Sequence, residues 1–103
     1  MFVFRKDFEF EAPVAVMTPA GAEQSFVGRF LYVDDRTFDT LAQSDVGLLE
    51  KVWIGWGGDI QDEGGRPIAW SAETRGELLG HQYIAQAVAV AYVKARRGMR
   101  EKN

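Results

Sequence analysis

The chain of 103 residues contains no cysteine. That excludes disulfides and thiolate metal sites and is compatible with a reducing cytosol. A single histidine, His81, leaves a zinc site dependent on carboxylates, an unusual ligand set. No stretch approaches the roughly 20 apolar residues of a membrane span. The opening Met1–Asp7 lacks the apolar run of a signal peptide. With 47% hydrophobic and 26% charged residues, the composition is that of a folded chain, not a disordered one. One domain over residues 1–103 is the default at this length.

What is present begins with alternation. Phe2, Phe4, Phe8 and Phe10 fall on one face of an extended segment, and Val3, Arg5, Asp7, Glu9 and Glu11 on the other. Lys6 interrupts the apolar face and is expected at a bend. Pro13 cannot donate to a ladder, so it is expected to end or offset this strand. Val14–Thr18 reads as a second strand and Pro19-Ala20-Gly21 as a turn. Ser25–Val33, apolar on both faces, reads as a third strand, central or covered on both sides. The expected class is α+β: a small, mainly antiparallel N-terminal sheet over about residues 2–33, followed by three to four helices.

Asp34 or Asp35, Ser44 and Ser71 are expected to cap successive helices. Leu49, Trp53 and Trp56 recur at i, i+4 and i+7, which predicts one helical core face, ended at Gly55 or Gly57 by a left-handed cap. All three tryptophans, Trp53, Trp56 and Trp70, lie between Val52 and Ser71, among five glycines. Trp53 and Trp56 are expected as core anchors, and Gly65 at a turn with positive φ. The last helix is predicted over about His81–Arg97, with Gly80 before it and Gly98 after its end. Ile84, Ala87, Val88, Ala91, Tyr92 and Ala95 form one stripe. Tyr83, Val90 and Val93 form a second, roughly 140° away, with Gln86 and Arg97 beside it. One stripe suffices to join a core, so the second is expected to meet a partner.

The net charge of −3 is uneven. Lys94–Asn103 holds five basic residues and one acidic, a net +4 against −7 elsewhere. This basic end, including Arg96 and Arg97, is expected to support partner binding by screened attraction and not to be needed for folding. No aromatic residue interleaves its charges, which disfavours nucleic acid as the partner.

Catalytic and cofactor motifs find little support. Within Asp59–Gly64, Asp59, Gln61 and Glu63 echo positions one, three and five of a calcium loop with Gly64 at six, but Trp70 stands where the bidentate glutamate belongs. Gly55-Trp56-Gly57-Gly58 lacks the spacing of a dinucleotide loop, and no P-loop lysine follows. No nucleophile elbow accompanies His81. The expectation is a protein without catalytic, cofactor or metal residues.

Leu48–Trp56, then Asp62–Ser71, then Leu78-Leu79 and Ala91-Tyr92 together resemble the tail assembly chaperones of long-tailed bacteriophages and prophages. In that family a helix ends in Gly-Trp, here Gly55-Trp56. An acidic turn with Gly-x-Pro follows, here Gly65-Arg66-Pro67. An aromatic-Ser helix start comes next, here Trp70-Ser71 with Trp in place of the usual Phe, and then a helix with Ala-Tyr. The resemblance covers nearly the whole chain and makes Trp53, Trp56, Gly65, Pro67, Trp70 and Tyr92 structural anchors. It implies a non-catalytic protein of the host bacterial cytoplasm, absent from the mature virion. Such a protein binds the long helical tape measure protein, keeps it soluble and helps recruit tail tube subunits, in many relatives through a longer frameshifted form. A homo-oligomer, through the Tyr83–Val90–Val93 stripe, is a further expected partner state. A small adaptor or regulatory domain, and a structural virion protein such as a head-tail connector or tail completion subunit, stand as alternatives.

Overall fold

Alternating apolar residues in the first third of the chain build a long hairpin. In the computed structural model, which describes residues 1–4 and 8–102, β1 spans Phe8–Met17 and β2 spans Glu23–Tyr32. They pair antiparallel from Phe8↔Tyr32 to Met17↔Glu23. The linking turn is closed by bonds between Thr18 and Ala22 and from the Gly21 N–H to the Thr18 carbonyl. The chain then forms α1 (Asp35–Leu41), α2 (Asp45–Val52), β3 (Trp53–Trp56), α3 (Ala72–Leu79) and α4 (Gln82–Lys102). The sheet order is β1-β2-β3, antiparallel throughout, so the architecture is α+β with β2 central.

Pro13 neither ends nor offsets a strand. It lies within β1, and Val14–Met17 continue that strand instead of forming a second one. The Val27 N–H opposite Pro13 donates away from β1, to the Asp59 carboxylate at 2.8 Å. The Pro13–Val27 pair is therefore not hydrogen-bonded, and the proline nitrogen faces the open edge of the sheet, where no ladder bond is lost. Phe8 and Phe10 belong to β1, but Phe2 and Phe4 lie outside any strand and are 85% and 74% exposed. The bend expected at Lys6 falls outside the described residues. β2 is central as expected, but helices cover one face of the sheet and Val27 on the other is exposed.

The larger correction concerns the tryptophans. α2 stops at Val52, and Trp53 turns extended at φ −87°, ψ 99°. Trp53–Trp56 then pairs with β2, Gly28 facing Trp56 and Arg29 facing Gly55. The spacing that read as a helix face is in fact an alternation, with Trp53 and Gly55 buried and Ile54 and Trp56 half-buried. Gly55 and Gly57 make no left-handed cap; among described residues only Gly21 and Gly65 have positive φ. Gly65 sits at φ 79° in the turn between Gln61 and Pro67, which face each other in an isolated bridge. A side chain at that φ is strained, so glycine is required there.

Caps fall where polar side chains predicted them. Asp34 accepts from the Thr37 N–H at 2.7 Å, a bond that lowers its carboxyl pKa. Ser44 accepts from Gly47, and Ser71 forms a reciprocal capping box with Thr74. Gly80 separates α3 from α4, but Gly98 does not end α4, which runs on to Lys102.

One contiguous core lies between the sheet and the helices. Its fully buried members include Val14, Phe30, Leu49, Val52, Trp53, Val88 and Tyr92. The Tyr92 ring stacks on Phe10 and Phe38, 5.7 and 6.2 Å between centroids, and its hydroxyl donates to the Leu31 carbonyl at 2.9 Å. Burial raises the phenol pKa. Gly28 permits this packing, since a Cβ there meets the Phe30 ring at 2.8 Å.

Candidate binding surface

α4 lies along β1 and reaches the core through Ala85, Val88, Ala89 and Tyr92. The inward face is thus centred about one residue away from the expected stripe: Ile84, Ala87, Ala91 and Ala95 are only half-buried at its margin. On the outward side, Val90 is 60% exposed and Tyr83 is 37% exposed. Val93 is half-buried.

Between the free edge of β1 and the outer flank of α4 runs an open groove of about 430 Å³. Pro13, Ala15 and Met17 form its strand wall. Tyr83, Ala87, Val90 and Ala91 form its helix wall, with Gln86 and Lys94 as the polar members. The depth has a simple origin. Ala87 and Ala91 are one helical turn apart, so two small side chains on the helix wall leave space that larger ones would fill. The groove is apolar because β1 changes character at Pro13. Its outward residues are Glu9 and Glu11 before the proline, and Ala15 and Met17 after it.

The structure therefore brings Tyr83 and Val90 together in one surface and leaves Val93 out of it. The strand residues Pro13, Ala15 and Met17 complete that surface and were missed. Their signal was present in the loss of the polar partner in the alternation beyond Ala12.

Arg96 is not the free surface charge expected of it. Its guanidinium lies over the rings of Phe38 and Tyr32, 4.4 and 4.9 Å from their centroids. It donates to the Val33 carbonyl at 2.6 Å and to the Asp35 carboxylate at 2.8 Å, and its side chain is 10% exposed. Such a cation joins α4 to the end of β2 and the start of α1, contacts that the expectation of a freely exposed basic end did not include. Arg97, by contrast, is exposed.

The connector is structural. The Trp53 indole N–H donates to the Gly55 carbonyl at 3.1 Å, and that of Trp56 to Ile68 at 2.7 Å. Trp70 is exposed, edge-on to Trp56, with the Arg75 guanidinium 5.6 Å from its ring centroid. The Asp59 and Asp62 carboxylates are engaged by backbone N–H groups, Asp59 with Val27 and Asp62 with Gly64 and Arg66. His81 stacks edge-on against Tyr83. Among the described residues, no group of three or more His, Cys, Asp or Glu is placed to hold a metal ion, and no helix is long and apolar enough to cross a membrane. Compared with protein-family models, curated proteins and solved structures, the chain matches none.

Proposed function

We propose that this chain is a non-catalytic tail assembly chaperone, and that the groove between β1 and α4 receives apolar side chains from a helical segment of the tape measure protein. The observation that carries the reading is the outer flank of α4, where Val90 and Tyr83 stand exposed beside an apolar groove. An α-helix is about 10–12 Å across, so a groove of about 430 Å³ takes side chains at i and i+4 spacing, not the helix itself. Masking such side chains keeps an aggregation-prone helix soluble until tail tube subunits close around it. In this reading the chaperone acts in the host cytoplasm, helps recruit the tube protein, and leaves before the particle is finished. The sequence resemblance supplies the identity of the partner, and the groove supplies a physical means of holding it.

The test is co-expression with the tape measure protein. Val90→Asp puts a charge in the groove without touching the core; it is expected to preserve the thermal melt and abolish solubilisation. Val88→Asp, fully buried, is expected to unfold the protein, because an unpaired buried carboxylate costs several kcal/mol. Unchanged solubilisation by Val90→Asp overturns the assignment.

A further inference from the structure

The groove has a candidate occupant within the chain itself. Among the described residues, Met1, Phe2, Val3 and Phe4 form a wholly apolar, wholly exposed stretch, and the outer edge of β1 is unpaired beside an apolar wall. From these observations we infer that Met1–Phe4 of a second copy lies in this groove, each chain of a two-fold dimer filling the groove of the other.

Reach excludes the same chain as donor. The tightest hairpin has a two-residue loop. Folding back on β1 through such a loop sets residue 5 opposite Phe8 and Met1 opposite Ala12, short of Pro13, Ala15 and Met17. A second copy has no such limit.

Register follows from the backbone. The Pro13–Val27 pair is not hydrogen-bonded across β1 and β2, so the odd-numbered residues of β1 present their free groups outward. Pro13 lacks an N–H, which leaves Ala15 and Met17 as the complete donor-acceptor positions at this end. Placing Val3 opposite Ala15 and Met1 opposite Met17 uses both. The same register turns Phe2 and Phe4 to the face of Val16 and Val14, towards Tyr83, Ala87 and Val90 on α4. Its two-fold axis falls at Glu9, whose carboxylate is already paired with Arg29 at 2.9 Å. A two-fold exchange of this kind closes on itself, and a client segment entering the groove must displace the arm. Large aromatic side chains bury about 150–250 Å² each, so the four phenylalanines of two arms approach the roughly 1,000 Å² of a specific interface before the groove walls are added.

The inference does not rest on the chaperone reading, although both use one groove. It is therefore tested on the purified full chain with no client present, by sedimentation equilibrium. A dimer is expected, and Phe2→Asp with Phe4→Asp is expected to raise its dissociation constant about tenfold or more while leaving the far-UV circular dichroism unchanged. The absence of native cysteine permits a second readout. A Phe4→Cys chain mixed with a Val90→Cys chain is expected to form a mixed disulfide dimer on oxidation. A chain that is monomeric at its solubility limit, a dimer indifferent to the double variant, or cross-links only between like positions each overturns the exchange. Failure of client rescue bears on the chaperone reading alone.

Discussion

Arg96 shows how a single side chain takes a role that its neighbours in sequence conceal. A guanidinium withdrawn from water is tolerated only where hydrogen bonds and π-faces replace its hydration. Here the Val33 carbonyl, the Asp35 carboxylate and the rings of Phe38 and Tyr32 do so. Asp35 is exposed, so that ion pair adds little; the carbonyl bond and the rings dominate. Replacing Arg96→Ala is expected to cost about 2–4 kcal/mol in urea denaturation. Arg97→Ala should change stability by no more than about 0.5 kcal/mol. Arg96→Lys should recover only part of the loss, because an ammonium has no planar face to stack. A loss below about 1 kcal/mol for Arg96→Ala makes the contacts incidental. The residue was hidden in a basic run, yet it continues the core positions Val88 and Tyr92 at i+4 and i+8, and that spacing was legible.

At the scale of elements, caps and turns were the most legible features, because the chemistry that sets them is local. Asp34, Ser44 and Ser71 each bond an N–H three residues on. Ser71→Ala removes the capping box of α3 and should cost about 1 kcal/mol, seen as a lower urea midpoint at unchanged slope. An unchanged midpoint shows that α3 is held by packing alone. What was not legible depended on partners distant in sequence. Trp53–Trp56 fits a helical spacing and a strand alternation equally well, and only the free side of β2 decides for the strand. Pro13 sits in a strand because β1 lies at an edge, which its own sequence does not announce. Gly98 lies within α4 because one glycine costs a helix only about 1 kcal/mol, too little to end it without a competing contact.

At the scale of the molecule, the elements of the described residues leave the outward face of the sheet and the flank of α4 uncovered, and the groove lies where the edge of β1 meets that flank. Half of this surface was legible as the exposed members of a helix apolar on two sides, Tyr83 and Val90. The other half, Pro13, Ala15 and Met17, required knowing which edge of the sheet α4 accompanies. The central claim is that this groove is where the chain binds its partner. The most direct measurement is an NMR titration of the labelled protein with a helical segment of the tape measure protein. Amide shifts are predicted at Ala15, Met17 and from Tyr83 to Lys94, with the connector from Gly57 to Trp70 unmoved. Shifts confined to the connector or to the sheet residues Val27 and Arg29, with the groove silent, contradict the account.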